Sequence, residues 1–124
     1  MYDDSKVSYD LEVFEDCTDV RGNAMSSGDD DFDKEVEDAI FERLDNGDVW
    51  AWALVKVTAT YEGRGCVGVD YLGCCNYLDE EDFVTGGLYD EMKAGARREL
   101  YSELYVWDAQ DGRVESTGDP ACND

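Results

Sequence analysis

Val7 to Phe14, "VSYDLEVF", alternates apolar and polar residues, with Val7, Tyr9, Leu11 and Val13 in phase. A period of two predicts a half-buried strand. "CTDVRGNAMSSGDD" then reads as a connector, rich in Gly, Ser, Asn and Asp. From Asp30 the period lengthens. Phe32, Val36, Ile40 and Leu44 recur every four residues, Ala39 widens the stripe, and Asn46-Gly47 stops it. That spacing predicts a helix. Asp48 to Tyr61, "DVWAWALVKVTATY", is rich in Val, Thr and aromatics and apolar on both faces in its first half, so it predicts a central strand that includes Trp50 and Trp52. "EGRG" turns the chain into "CVGVDYL", with Val67, Val69 and Tyr71 in phase, and the two segments make a hairpin.

After Cys74-Cys75, "DEEDF" reads as one acidic helical turn, and Gly86-Gly87 interrupts it. A longer helix follows, with Leu88, Met92, Ala96, Leu100 and Leu104 along its inner face and Trp107 closing it. The order β-α-β-β-α predicts an α+β fold, a small antiparallel sheet with helices packed on one face. Residues 1–108 would form a single compact domain and 109–124 a loose C-terminal tail.

Composition changes the picture through charge. The chain has 32 acidic and 10 basic residues, no histidine, and a net charge of −22. Residues 1–48 hold 17 acids and 4 bases, 49–78 hold 2 and 2, and 79–124 hold 13 and 4. A neutral apolar centre is thus flanked by two acidic segments, a core with a charged exterior. Self-repulsion on this scale costs stability, which a partner or the solvent must justify. With no basic cluster beyond Arg97-Arg98, direct nucleic-acid binding is excluded. The start is polar and acidic, unlike a signal peptide, and no apolar run approaches the ~20 residues of a membrane span. A soluble protein of the cytoplasm is expected, with its five cysteines, an odd number, as free thiols.

The candidate chemical motifs dissolve on inspection. "GRGCVG", Gly63 to Gly68, is a literal G-x-G-x-x-G, but dinucleotide binding requires a helix next and "VGVDYL" reads as strand. Cys17, Cys66, Cys74, Cys75 and Cys122 lack the paired C-x-x-C spacing of a structural zinc site, and buried Cys66, Cys74 and Cys75 are read as small hydrophobes. Without histidine the usual catalytic triads are absent, so neither an enzyme nor a cofactor or metal is expected.

The acidic spacing is more informative. Asp31, Glu35, Asp38, Glu42 and Asp45 recur at steps of 4, 3, 4 and 3, forming one line along the first helix, to which Asp29, Asp30, Asp33 and Glu37 add and which only Lys34 and Arg43 offset. Like charges so placed cost about 0.2–0.5 kcal/mol per pair. Asp79, Glu80, Glu81 and Asp82 form a second cluster. One reading is a solvated acidic face. The other is mimicry of duplex DNA, whose charge density is about one per 1.7 Å of axis, so that Asp31, Glu35, Asp38, Glu42, Asp45, Asp79, Glu80, Glu81 and Asp82 would enter a protein groove built for DNA.

The phrases "GDVWAWA", "LGCCNY" and "GGLYDEM" carry a resemblance, spanning roughly Arg21 to Leu100, to small proteins encoded by bacteriophages and mobile elements. By charge and size the chain also resembles DNA-mimicking antagonists of host defence, the anti-CRISPR and antirestriction proteins. These resemblances imply an inhibitor acting in the bacterial host cytoplasm, its partner a host complex that normally binds nucleic acid. The alternative is a structural or accessory phage protein that forms a homo-oligomer through the hairpin edge, its acidity serving solubility.

Overall fold

The computed structural model describes residues 2–110. Three antiparallel strands form an open sheet on which helices pack, so the fold is α+β. The elements are β1 (Val7–Glu15), α1 (Asp30–Asp45), β2 (Ala53–Tyr61), β3 (Val67–Cys75), α2 (Glu80–Thr85) and α3 (Leu88–Gln110), with 3-10 turns at Asp4–Lys6 and Val49–Ala51. The spatial order is β1-β2-β3, so β2 is central and the other two are edges. The glycine-rich motif closes the β2–β3 hairpin, and the element after it is a strand. The tail expected from residue 109 lies, past Gln110, outside the described residues; positions 109 and 110 extend α3.

The strand before the hairpin and the helix before it differ from the sequence expectation. Trp50 belongs to a 3-10 turn and not to a strand, because the Asp48 carboxylate accepts its N–H at 3.2 Å and curls the chain; Trp52 caps that turn. With the tryptophans removed, β2 is buried on one face only: Ala53, Val55, Val57 and Ala59 are fully buried, whereas Leu54, Lys56 and Thr58 are half-exposed. In α1, Phe32 is 45% exposed. Four-residue steps drift about 40° around a helix of 3.6 residues per turn, so two steps before Ile40 leave Phe32 off the buried side. Glu37 is buried there instead.

The chain forms two compact units. The first comprises residues up to Leu11, Lys56–Asp70 and the chain from Asp90 onward. Its core face on α3 is Met92, Ala96, Leu100 and Leu104. Gly68 on β3 permits the close approach of that helix, since a Cβ there would lie 2.0 Å from the Ala96 carbonyl oxygen and 2.4 Å from the Leu100 nitrogen. Tyr2, Tyr61 and Tyr101 pack together, with the Tyr2 hydroxyl donating to Asp108 at 2.7 Å and Arg64 pairing with the same carboxylate at 2.8 Å.

The second unit comprises Glu12–Val55 and Tyr71–Tyr89. Val20, Ile40, Ala51 and Trp52 form its core, with Ala24, Val36 and Leu44 against them. The Trp52 indole N–H donates to the Thr18 carbonyl at 2.8 Å, tying the connector to this core. Trp50, Tyr77 and Phe83 form a second aromatic group. Asp16 is buried and accepts the N–H groups of Thr18 at 2.9 Å and Cys74 at 2.6 Å. Cys74 adopts a left-handed backbone with φ of 56°. Gly73 must stay small, because a Cβ would sit 2.8 Å from the Asp16 carboxylate.

The cysteines divide differently from the expectation of free thiols. Cys66 is disulfide-bonded, Cys17, Cys74 and Cys75 are free, and Cys74 is exposed instead of packed. A chain with few bases and no zinc-like spacing says nothing about which thiols meet in space, and an odd count does not forbid a single bridge.

Candidate partner-binding surface

α1 begins because the Asp29 carboxylate accepts the N–H groups of Asp31 and Phe32, a side-chain N-cap reinforced by acidic residues in the first turn. At about 100° per residue, Asp31, Glu35, Asp38, Glu42 and Asp45 all fall within roughly 40° of the line opposite Ile40. All five are exposed. They span ~21 Å of helix, about one carboxylate per 5 Å, against ~3.4 Å per phosphate along one strand of DNA.

The structure distinguishes the members of this ridge. Asp38 accepts from Arg21 at 2.8 Å and from Lys34 at 2.8 Å, and these cations, Lys34 first, hold its carboxyl below the usual range. Among the described residues, Asp31, Glu35, Glu42 and Asp45 have no ion pair. Glu37 does not add to the external field as the sequence suggested. It is buried, accepts the Gly22 N–H at 2.9 Å and pairs with Arg21 at 2.8 Å. The Gly22 N–H and then the Arg21 guanidinium keep it ionised below the usual glutamate range. Asp33 is likewise engaged, accepting from the Ser27 hydroxyl at 2.7 Å.

The second cluster also splits. Asp79 caps α2 by accepting the Asp82 N–H at 2.9 Å, and Asp82 accepts the Leu78 N–H at 3.0 Å. These two bonds commit two carboxylates to holding the turn. Glu80 and Glu81 are exposed and point their charge outward from it. Leu78, at 76% exposure, sits at the head of this turn.

Two arginines position the acidic ridge, one on each flank of α1. Arg21 lies over the Phe41 ring at 4.9 Å while gripping Glu37 and Asp38. Arg43, on the opposite flank, pairs with Asp48 at 2.8 Å and donates to the main-chain carbonyls of Tyr77 and, at 3.4 Å, Leu78. The Arg43 guanidinium holds the Asp48 carboxyl below its ordinary value. In the sequence Arg43 reads only as a charge that offsets the ridge. Its role is to join the end of α1 to the segment that leads into Asp79–Asp82. Asp48, five residues beyond it, is the one sequence signal for that role, since it supplies the carboxylate that orients the guanidinium.

Both acidic clusters therefore belong to the second unit. That unit holds 18 carboxylates against Arg21, Lys34 and Arg43, a net of −15. The described residues of the first unit hold 10 carboxylates against six bases, a net of −4. No group of three or more His, Cys, Asp or Glu side chains among the described residues is placed to hold a metal ion. No helix among them is long and apolar enough to cross a membrane. The chain matches no family model, no curated protein and no solved structure.

Proposed function

We propose that this protein is a non-enzymatic inhibitor of the kind encoded by bacteriophages, which blocks the DNA-binding groove of a host defence complex by presenting a DNA-like acidic surface. A CRISPR surveillance complex or a restriction enzyme in the host cytoplasm is the target class. The observation that carries the reading is the concentration of a −15 charge in one unit, where Arg43 ties the α1 ridge to the segment leading into α2. Adaptation to high salt would spread the charge evenly, and 18 carboxylates against three bases in one unit is far from even. Outward carboxylates at Asp31, Glu35, Glu42, Asp45, Glu80 and Glu81 would stand in for phosphates, with the lysines and arginines of the target releasing counterions as they do on DNA.

The test is competition. A labelled DNA duplex is bound to a purified CRISPR surveillance complex or restriction enzyme, and this protein is titrated in over a salt series. Displacement should be strongest at low salt and weaken as salt rises. Failure to displace DNA at low salt from either class of complex ends this reading.

A further inference from the structure

The two edge strands of an open sheet offer unpaired N–H and C=O groups to any extended chain that meets them. β3 is one such edge. Its sequence from Val67 to Tyr71 is Val-Gly-Val-Asp-Tyr, and Val67 and Tyr71 are 39% and 57% exposed in phase with Val69. A strand of that composition, apolar on alternate positions and lacking proline, is suited to pairing with another copy of itself. Yet the N–H of Val69 is already taken. It donates to the Glu99 carboxylate of α3 at 2.7 Å, a short, charge-assisted bond. Gly68 makes this reach possible, because the α3 backbone at Ala96 and Leu100 occupies the space where a Cβ would stand.

We propose that Glu99 is an edge guard: by occupying the Val69 N–H and placing a negative charge beside it, it prevents β3 from pairing with β3 of a second copy of this chain. Two other carboxylates of the first unit pair with cations or hydroxyls. Asp108 meets Arg64 and Tyr2, and Asp4 meets Tyr101. Glu99 spends its carboxylate on a strand amide instead. The guard bears on oligomerisation through the hairpin edge, which it opposes, and is independent of the acidic ridge of the second unit.

The experiment is light scattering on the size-fractionated 124-residue chain over a concentration series, comparing wild type, Glu99→Ala and Glu99→Gln. Glu99→Ala should lower the dimer dissociation constant by at least about tenfold relative to wild type. Glu99→Gln should fall between wild type and Glu99→Ala, since the amide oxygen still accepts the N–H but the negative charge is gone. Amide exchange at Val69 supplies the second readout. In dilute Glu99→Ala it should be faster than in wild type, and it should slow as the dimer fills. The proposal is overturned if Glu99→Ala remains as monomeric as wild type, if wild type is itself a dimer at the same concentrations, or if the variant associates without protecting the Val69 amide.

Discussion

Arg43 donates from its guanidinium to the main-chain carbonyl of Tyr77, 34 residues further along the chain, while its Nε holds Asp48 at 2.8 Å. A single side chain thus fixes the end of α1, the turn into β2 and the approach to α2. Charge-assisted hydrogen bonds of this kind are worth about 1.5–3 kcal/mol each when lost from a partly buried site. Arg43→Ala should destabilise the protein by about 2–4 kcal/mol, read from the urea midpoint, and should accelerate exchange of the Leu78 and Asp82 amides. Arg43→Lys, with no fork, should recover less than half of the loss.

The acidic residues of α1 should separate into two classes by mutation. Glu35→Lys and Glu42→Lys change outward, unpaired carboxylates and should alter stability by less than about 0.5 kcal/mol, in the stabilising direction, while abolishing displacement of DNA from the target complex. Glu37→Ala removes a buried carboxylate that holds Arg21 and Gly22 and should cost about 1–3 kcal/mol in urea unfolding. In the wild type, like-charge repulsion in the second unit should make the melting temperature rise as salt goes from low to moderate. A melting temperature that falls over that range contradicts an unpaired acidic face.

Stability should fall with acid in a defined direction. At Asp16, burial disfavours the charged form, but hydrogen bonds from Thr18 and Cys74 together outweigh it and leave the carboxyl below its ordinary value. Glu37 is lowered by Gly22 and Arg21, and Asp48 by Arg43. For a carboxylate depressed on folding, the unfolded chain binds the proton first. Its contribution is therefore complete above the unfolded value, near 4, and is lost as pH falls through the folded one. Urea midpoints should hold from neutral pH to about 5 and drop below 4, and Glu37→Gln should flatten the drop.

Thiol labelling should report the cysteine environments. Cys17 and Cys74 are exposed and free and should react with a maleimide in the folded protein. Cys75 is buried, and burial, with the nearby Asp16 charge, pushes its thiol up to about 11. It should stay unmodified at pH 8 until denaturant is added. Cys66 should label only after reduction.

How far the sequence can be read depended on which physical signal each part rests on. Periodicity placed α3's buried Met92, Ala96, Leu100 and Leu104, because one face against one core is a local pattern. It also located the acidic ridge, since outward residues obey the same phase. It misplaced Phe32 and Glu37, where a glutamate is buried by an arginine and an amide from the distant connector. Trp50 and Trp52 carry strand propensity, but the Asp48 side chain competes for the backbone and curls it first. The division of Asp79–Asp82 into two capping and two outward carboxylates follows from bond geometry around one turn, which charge counting does not contain.

The placement of the tryptophans makes the protein its own optical reporter. Trp50 and Trp52 lie in the second unit and Trp107 in the first, on α3. In Trp107→Phe, tryptophan emission would come from the second unit alone, from Trp50 and from the Trp52 indole, which is 2% exposed and bonded to Thr18. Titration of a target could then be followed without any attached dye, from the unit that bears the acidic ridge.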